Sequence, residues 1–77
     1  MDYGQDYGQI IYRERRSVMR KRRRLGLHGP TQEDIAKLMG LAVHVVIAYE
    51  TGQQPCGEEF YRTAMDIIRS YEPQVAT

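Results

Sequence analysis

Apolar residues recur at helical spacing in four stretches of this chain. Ile35, Ala36, Leu38 and Met39 make one face of a short segment, and Val46 and Tyr49 the inner face of a second. Upstream, Ile11, Val18 and Leu25 return every seven residues with Met19 beside them, a narrow stripe that predicts a helix over 10–25. Downstream, Phe60, Ala64, Ile67, Ile68 and Tyr71 fall at i, i+4, i+7, i+8 and i+11, and Tyr61 and Met65 widen that band. Punctuation separates the stretches. Thr31 can cap the second helix, with Asp34 answering three residues on. Gly40 suits a left-handed stop, after which Leu41 is expected to turn inward as a plug. Gly26 to Pro30 and Thr51 to Pro55 read as loops, and Pro73 stops the last helix. The expected architecture is all-α and compact, with four or five helices over 10–72. A flexible arm over 1–9, built on Asp-Tyr-Gly-Gln in tandem, precedes it and a short tail over 73–77 follows.

Composition supports one small domain. Hydrophobic residues make up 42% of 77, without Trp and with one Phe, so Leu, Ile, Met, Val and Tyr must fill the core. A single cysteine, Cys56, forms no internal disulfide, which fits a reducing cytosol. No apolar run reaches the roughly 18 residues of a membrane span. The opening MDYGQDYGQ lacks the basic end and apolar run of a signal peptide, so a cytoplasmic location is expected.

Charge changes the picture more than composition does. From Arg13 to Arg24 there are eight basic residues and one acid, a local +7, while the remainder carries three basic and nine acidic residues, −6. That segregation creates a positive field of the kind a polyanion feels. Arg13, Arg16, Arg20, Arg23 and Arg24 spread over the polar surface of the first helix, where like charges at i, i+4 repel. A helix carrying so many suits contact with phosphate. Catalysis is not expected: there is no Gly-rich phosphate loop, no metal-ligand spacing, and no Ser or Cys patterned with a His and an acid. His28 is expected as an exposed loop residue, and no metal or cofactor is implied.

The residues Thr31-Gln32-Glu33-Asp34-Ile35-Ala36, Met39-Gly40-Leu41, Val46, Tyr49-Glu50 and Gly52 resemble the helix-turn-helix of the lambda-repressor and Cro family, also called the xenobiotic-response-element family. The family's usual Gly-Leu-Thr-Gln link is interrupted here by His28-Gly29-Pro30. The resemblance implies a lambda-repressor-like fold, binding of sequence-specific double-stranded DNA, and a transcriptional regulator, a repressor, working as a homodimer on a palindromic operator. Half-sites would lie about 34 Å apart. It places Gln32 on a phosphate at the amino end of the second helix and makes Gln53 and Gln54 candidate phosphate contacts, beside those that the charge run itself assigns to Arg16, Arg20, Arg23 and Arg24. Glu50 is the family's usual acid, expected to bond loop backbone or an arginine of the first helix. The arm could fold along DNA or onto a partner subunit, or be a mobile end with no role.

The third helix departs from the pattern. Positions 43, 44, 45, 47 and 48 of a recognition helix usually offer hydrogen bonds to base edges, yet here they are Val43, His44, Val45, Ile47 and Ala48. Ala42 stands where a serine cap is usual. Three readings stay open: base contact by Val43, His44 and Ile47, docking of a protein partner, or burial by a dimer mate. The second would make the chain an inhibitor, anti-activator or antitoxin. The wide apolar band of the last helix, with Ile68, Tyr71 and Val75, is expected to form a dimer seam.

Overall fold

The shortest-range signals in the sequence set the first boundaries. In the computed structural model, which describes residues 6–73, Thr31 Oγ1 accepts the Asp34 amide at 3.0 Å. The Asp34 carboxylate accepts the Thr31 amide at 2.9 Å, which completes a capping box at the start of α2, Gln32–Met39. At its other end Gly40 takes φ +70. That left-handed turn lets the Leu41 amide reach the Ala36 carbonyl at 2.8 Å and the Gly40 amide reach that of Lys37. After Gly40, Leu41 and Ala42 the chain enters α3, Val43–Glu50, whose first turn has no side-chain cap. Replacing Thr31 with alanine is expected to lower stability by about 1 kcal/mol, read as a lower urea midpoint at constant slope. An unmoved midpoint would mean that packing alone holds this end.

The two longer helices flank this pair. α1, Tyr7–Arg24, packs on α4, Glu58–Ser70, and on α3, while α2 packs on α3 and α4. Ile11 and Val18 of α1, Ile35 and Ala36 of α2, Val46 of α3, and Ala64, Met65 and Ile68 of α4 form the core. The fold is all-helical, with no strand among the described residues. No described helix is long and apolar enough to cross a membrane.

Several expectations need correction. α1 starts inside the expected arm, because Asp6 caps it by accepting the Gln9 amide at 3.2 Å. Long-range contacts hold this extra turn: Tyr7 stacks on Tyr61 with ring centroids 4.4 Å apart, and Gly8 is buried against the Tyr49 carbonyl. Residues 1–5 and 74–77, the latter including Val75, lie outside the described residues. Leu25 is 62% exposed, since a seven-residue repeat drifts by about 20° per heptad and the helix ends at Arg24. Leu38 is 61% exposed because Gln32, Ile35, Ala36 and Met39, at i, i+3, i+4 and i+7, define the inner face of α2 instead. Leu41 is exposed too, and closes the turn with its amide rather than its side chain.

Candidate nucleic-acid interface

The faces of α2 and α3 that look inward meet over a buried charge. Val43, Val46 and Glu50 fall at i, i+3 and i+7, so the last acid of α3 shares the face that carries the core valine. Its carboxylate is fully buried and takes a two-pronged salt bridge from Arg15 of α1, Nε to Oε2 and Nη2 to Oε1, each 2.8 Å. Gln32 Nε2 donates to the same Oε1 at 2.9 Å, and Arg15 Nη1 points to the Met19 sulfur at 3.2 Å. One carboxylate thus ties the first residue of α2, the last of α3 and the middle of α1. Gln32 therefore bonds inward, a correction to its expected phosphate contact, because it lies on the inner face of α2. Of the two partners expected for Glu50, the structure shows the α1 arginine.

Three of the eight basic residues of α1 are engaged in the fold. Besides Arg15, Lys21 pairs with Glu72 at 2.6 Å. Arg22 donates to the carbonyls of His28 at 3.0 Å and Tyr71 at 3.3 Å, and its guanidinium lies 5.1 Å from the Tyr71 ring centroid. That clamp holds the loop after α1 to the end of α4. The other five, Arg13, Arg16, Arg20, Arg23 and Arg24, are exposed. At 100° per residue they occupy an arc of about 100°, opposite Ile11, Arg15 and Val18. Among the described residues none of the five has a carboxylate partner, whereas Arg62 and Arg69 of α4 pair with Glu58 and Asp66. Arg23 lines a surface cleft of about 350 Å³ together with Met19, Leu27, His28 and Thr31, which places it beside the amino end of α2.

On α3 the outward arc is Ile47, His44, Ala48 and Val45. His44 is exposed, and the other three are half-buried. Val43 is turned to the core and packs against it, which corrects its expected place on the reading face. Tyr49 packs on Phe60 with centroids 4.4 Å apart. Gln53 is exposed in the loop between α3 and α4.

The expected seam on α4 loses its centre. Ile68 is 1% exposed and belongs to the core, because α4 must cover both α1 and α2 and spends its wide apolar band doing so. Tyr71 is half-buried under Arg22. Cys56 packs against the core edge; burial raises its thiol pKa and the nearby Asp6 charge adds to the rise, so it is a poor nucleophile at neutral pH. Among the described residues no group of His, Cys, Asp and Glu is placed to hold a metal ion. No family model, curated protein or solved structure matches this chain.

Proposed function

We propose that the chain is a helix-turn-helix protein of the lambda-repressor and Cro kind, which binds double-stranded DNA as a cytoplasmic transcriptional regulator. The observation that carries this reading is the arc of five exposed arginines on α1, none with a carboxylate partner among the described residues. Left unneutralised, such an arc repels itself, and polyanion phosphates relieve it. The tight α2–Gly40–α3 corner, with its capping box and left-handed glycine, agrees with the motif. In this reading Arg16, Arg20, Arg23, Arg24 and Gln53 meet phosphates, and His44 and Ile47 meet bases. Gln32 acts from within, by fixing α2 against α3. A homodimer on a palindromic operator belongs to the same proposal, with a seam that does not use Ile68.

A second reading draws on α3 itself. Its outward arc offers one polar side chain, His44, among Val45, Ile47 and Ala48, as a surface that docks protein would. The two separate in a titration of duplex DNA against salt. DNA binding is expected to weaken by roughly 10³-fold or more between about 50 and 200 mM salt, given six or more phosphate contacts. Neutralising Arg20, Arg23 and Arg24 to glutamine should flatten the slope. If no duplex binds at low salt and a stoichiometric protein complex is isolated instead, the docking reading replaces the first.

A further inference from the structure

The outer face of α1 carries a depression of about 250 Å³ lined by Tyr12, Arg13, Arg16 and Arg20. The three arginines stand at i, i+3 and i+7, on one face of the helix. Tyr12 is 39% exposed. Its hydroxyl accepts a hydrogen bond from Arg16 Nη1 at 2.9 Å, and the Arg16 guanidinium lies 5.5 Å from its ring centroid. An exposed arginine is a long and mobile chain; a tyrosine that both bonds and faces its guanidinium fixes the fork. The same ring lies 5.8 Å from the Arg15 guanidinium, which is locked to Glu50 and through it to Gln32. Tyr12, at one edge of the depression, thus stands between the exposed Arg16 and the buried Arg15–Glu50 pair.

We propose that this depression is a phosphate site, in which Arg13, Arg16 and Arg20 converge on a single phosphate of a nucleic-acid backbone and Tyr12 positions Arg16. The inference rests on the DNA reading and deepens it. It separates these three arginines from Arg23 and Arg24, which line other clefts. Guanidinium forks match phosphate oxygens in pairs, and the lining holds no acid to compete for them.

Two measurements test it. The first is duplex binding across a salt series for the wild type, for Tyr12→Phe, and for the triple variant Arg13→Gln/Arg16→Gln/Arg20→Gln. Since the slope counts phosphates, a shared phosphate predicts that the triple variant is shallower by about one for each protomer on the duplex, whereas three separate contacts predict nearly three for each. Tyr12→Phe keeps every charge, so its affinity should fall by about fivefold, the weight of one hydrogen bond, with the slope unmoved. The second is the melting temperature in potassium phosphate against potassium chloride at equal ionic strength. Phosphate stabilises any folded chain somewhat by exclusion from its surface, so the expected result is a larger rise for the wild type and for Arg23→Gln/Arg24→Gln than for the triple variant. If the wild type binds duplex and the triple variant keeps its slope, or loses nearly three for each protomer, the site is overturned and the DNA reading stands. If duplex does not bind yet the larger rise in phosphate is present and lost in the triple variant, the site stands for a free phosphate and the DNA reading falls. If phosphate protects all variants alike or none, and the slope does not move, the site falls.

Discussion

Replacing Glu50 with alanine is expected to remove about 3–5 kcal/mol of stability, since it strips the partner from a buried arginine. The Arg15 side chain is 6% exposed and the Glu50 side chain 0%, so water cannot take over the lost bonds without opening the core. Gln32 loses its acceptor in the same step. Against a total of about 5–15 kcal/mol for a native domain, that loss leaves little. Because the pair is out of solvent, salt cannot screen it, and the loss should be as large at high ionic strength as at low. Burying the pair was itself expensive, which gives the test a second arm. Arg15→Met with Glu50→Leu removes both charges and fills similar volume, and should recover most of what the single change loses. Urea denaturation of Glu50→Ala, of Arg15→Met and Glu50→Leu singly, and of the double measures this directly. A loss under about 1 kcal/mol for Glu50→Ala, the size of an exposed ion pair, would mean that the carboxylate is solvated after all.

The same residue shows where sequence reading stops. Helical spacing already put Glu50 on the face of Val46, and Gln32 on the face of Ile35, so both were legible as inward positions. Which basic residue would meet the acid was not. Eight lie between Arg13 and Arg24; spacing narrows them to Arg15 and Arg22, which share the face of Ile11 and Val18, and the packing of α1 on α3 selects Arg15. Gln32 was nevertheless expected at a phosphate, because its residue type argued for the surface while periodicity argued for the interior. Val43 shows the converse: expected among the base contacts by its place in the motif, it follows its spacing into the core instead. Short-range signals fared better, since the capping box of α2 and the glycine after it are satisfied by residues within five positions of one another. The width of the apolar band on α4 was legible, but not that two neighbours would share it. A band of that breadth reads equally as a seam for a second copy until α1 and α2 are both laid against it.

The start of α1 was invisible for a different reason, and it supports a second large effect. Asp-Tyr-Gly-Gln in tandem reads locally as a flexible arm. In the fold Gly8 is helical and buried, and a Cβ there would overlap the Tyr49 carbonyl oxygen and come within 2.8 Å of its carbon. The obstacle is backbone rather than a flexible side chain, so α1 must lift away from the end of α3 or shed its first turn. Either response separates Tyr7 from Tyr61, a stacked pair worth about 1 kcal/mol beyond its buried area. Overpacking adds about 1–3 kcal/mol, while alanine returns about 1 kcal/mol of helix propensity. Gly8→Ala is therefore expected to destabilise by about 2 kcal/mol, a fall of roughly 10 °C in melting temperature for a domain this small. Gly57→Ala is a control for the clash alone: a Cβ there meets nothing within 4 Å, and at the N-cap of α4 the change should cost less than Gly8→Ala. An unchanged or raised melting temperature for Gly8→Ala would show propensity winning over contact, and the first turn of α1 would then not be packed on α3.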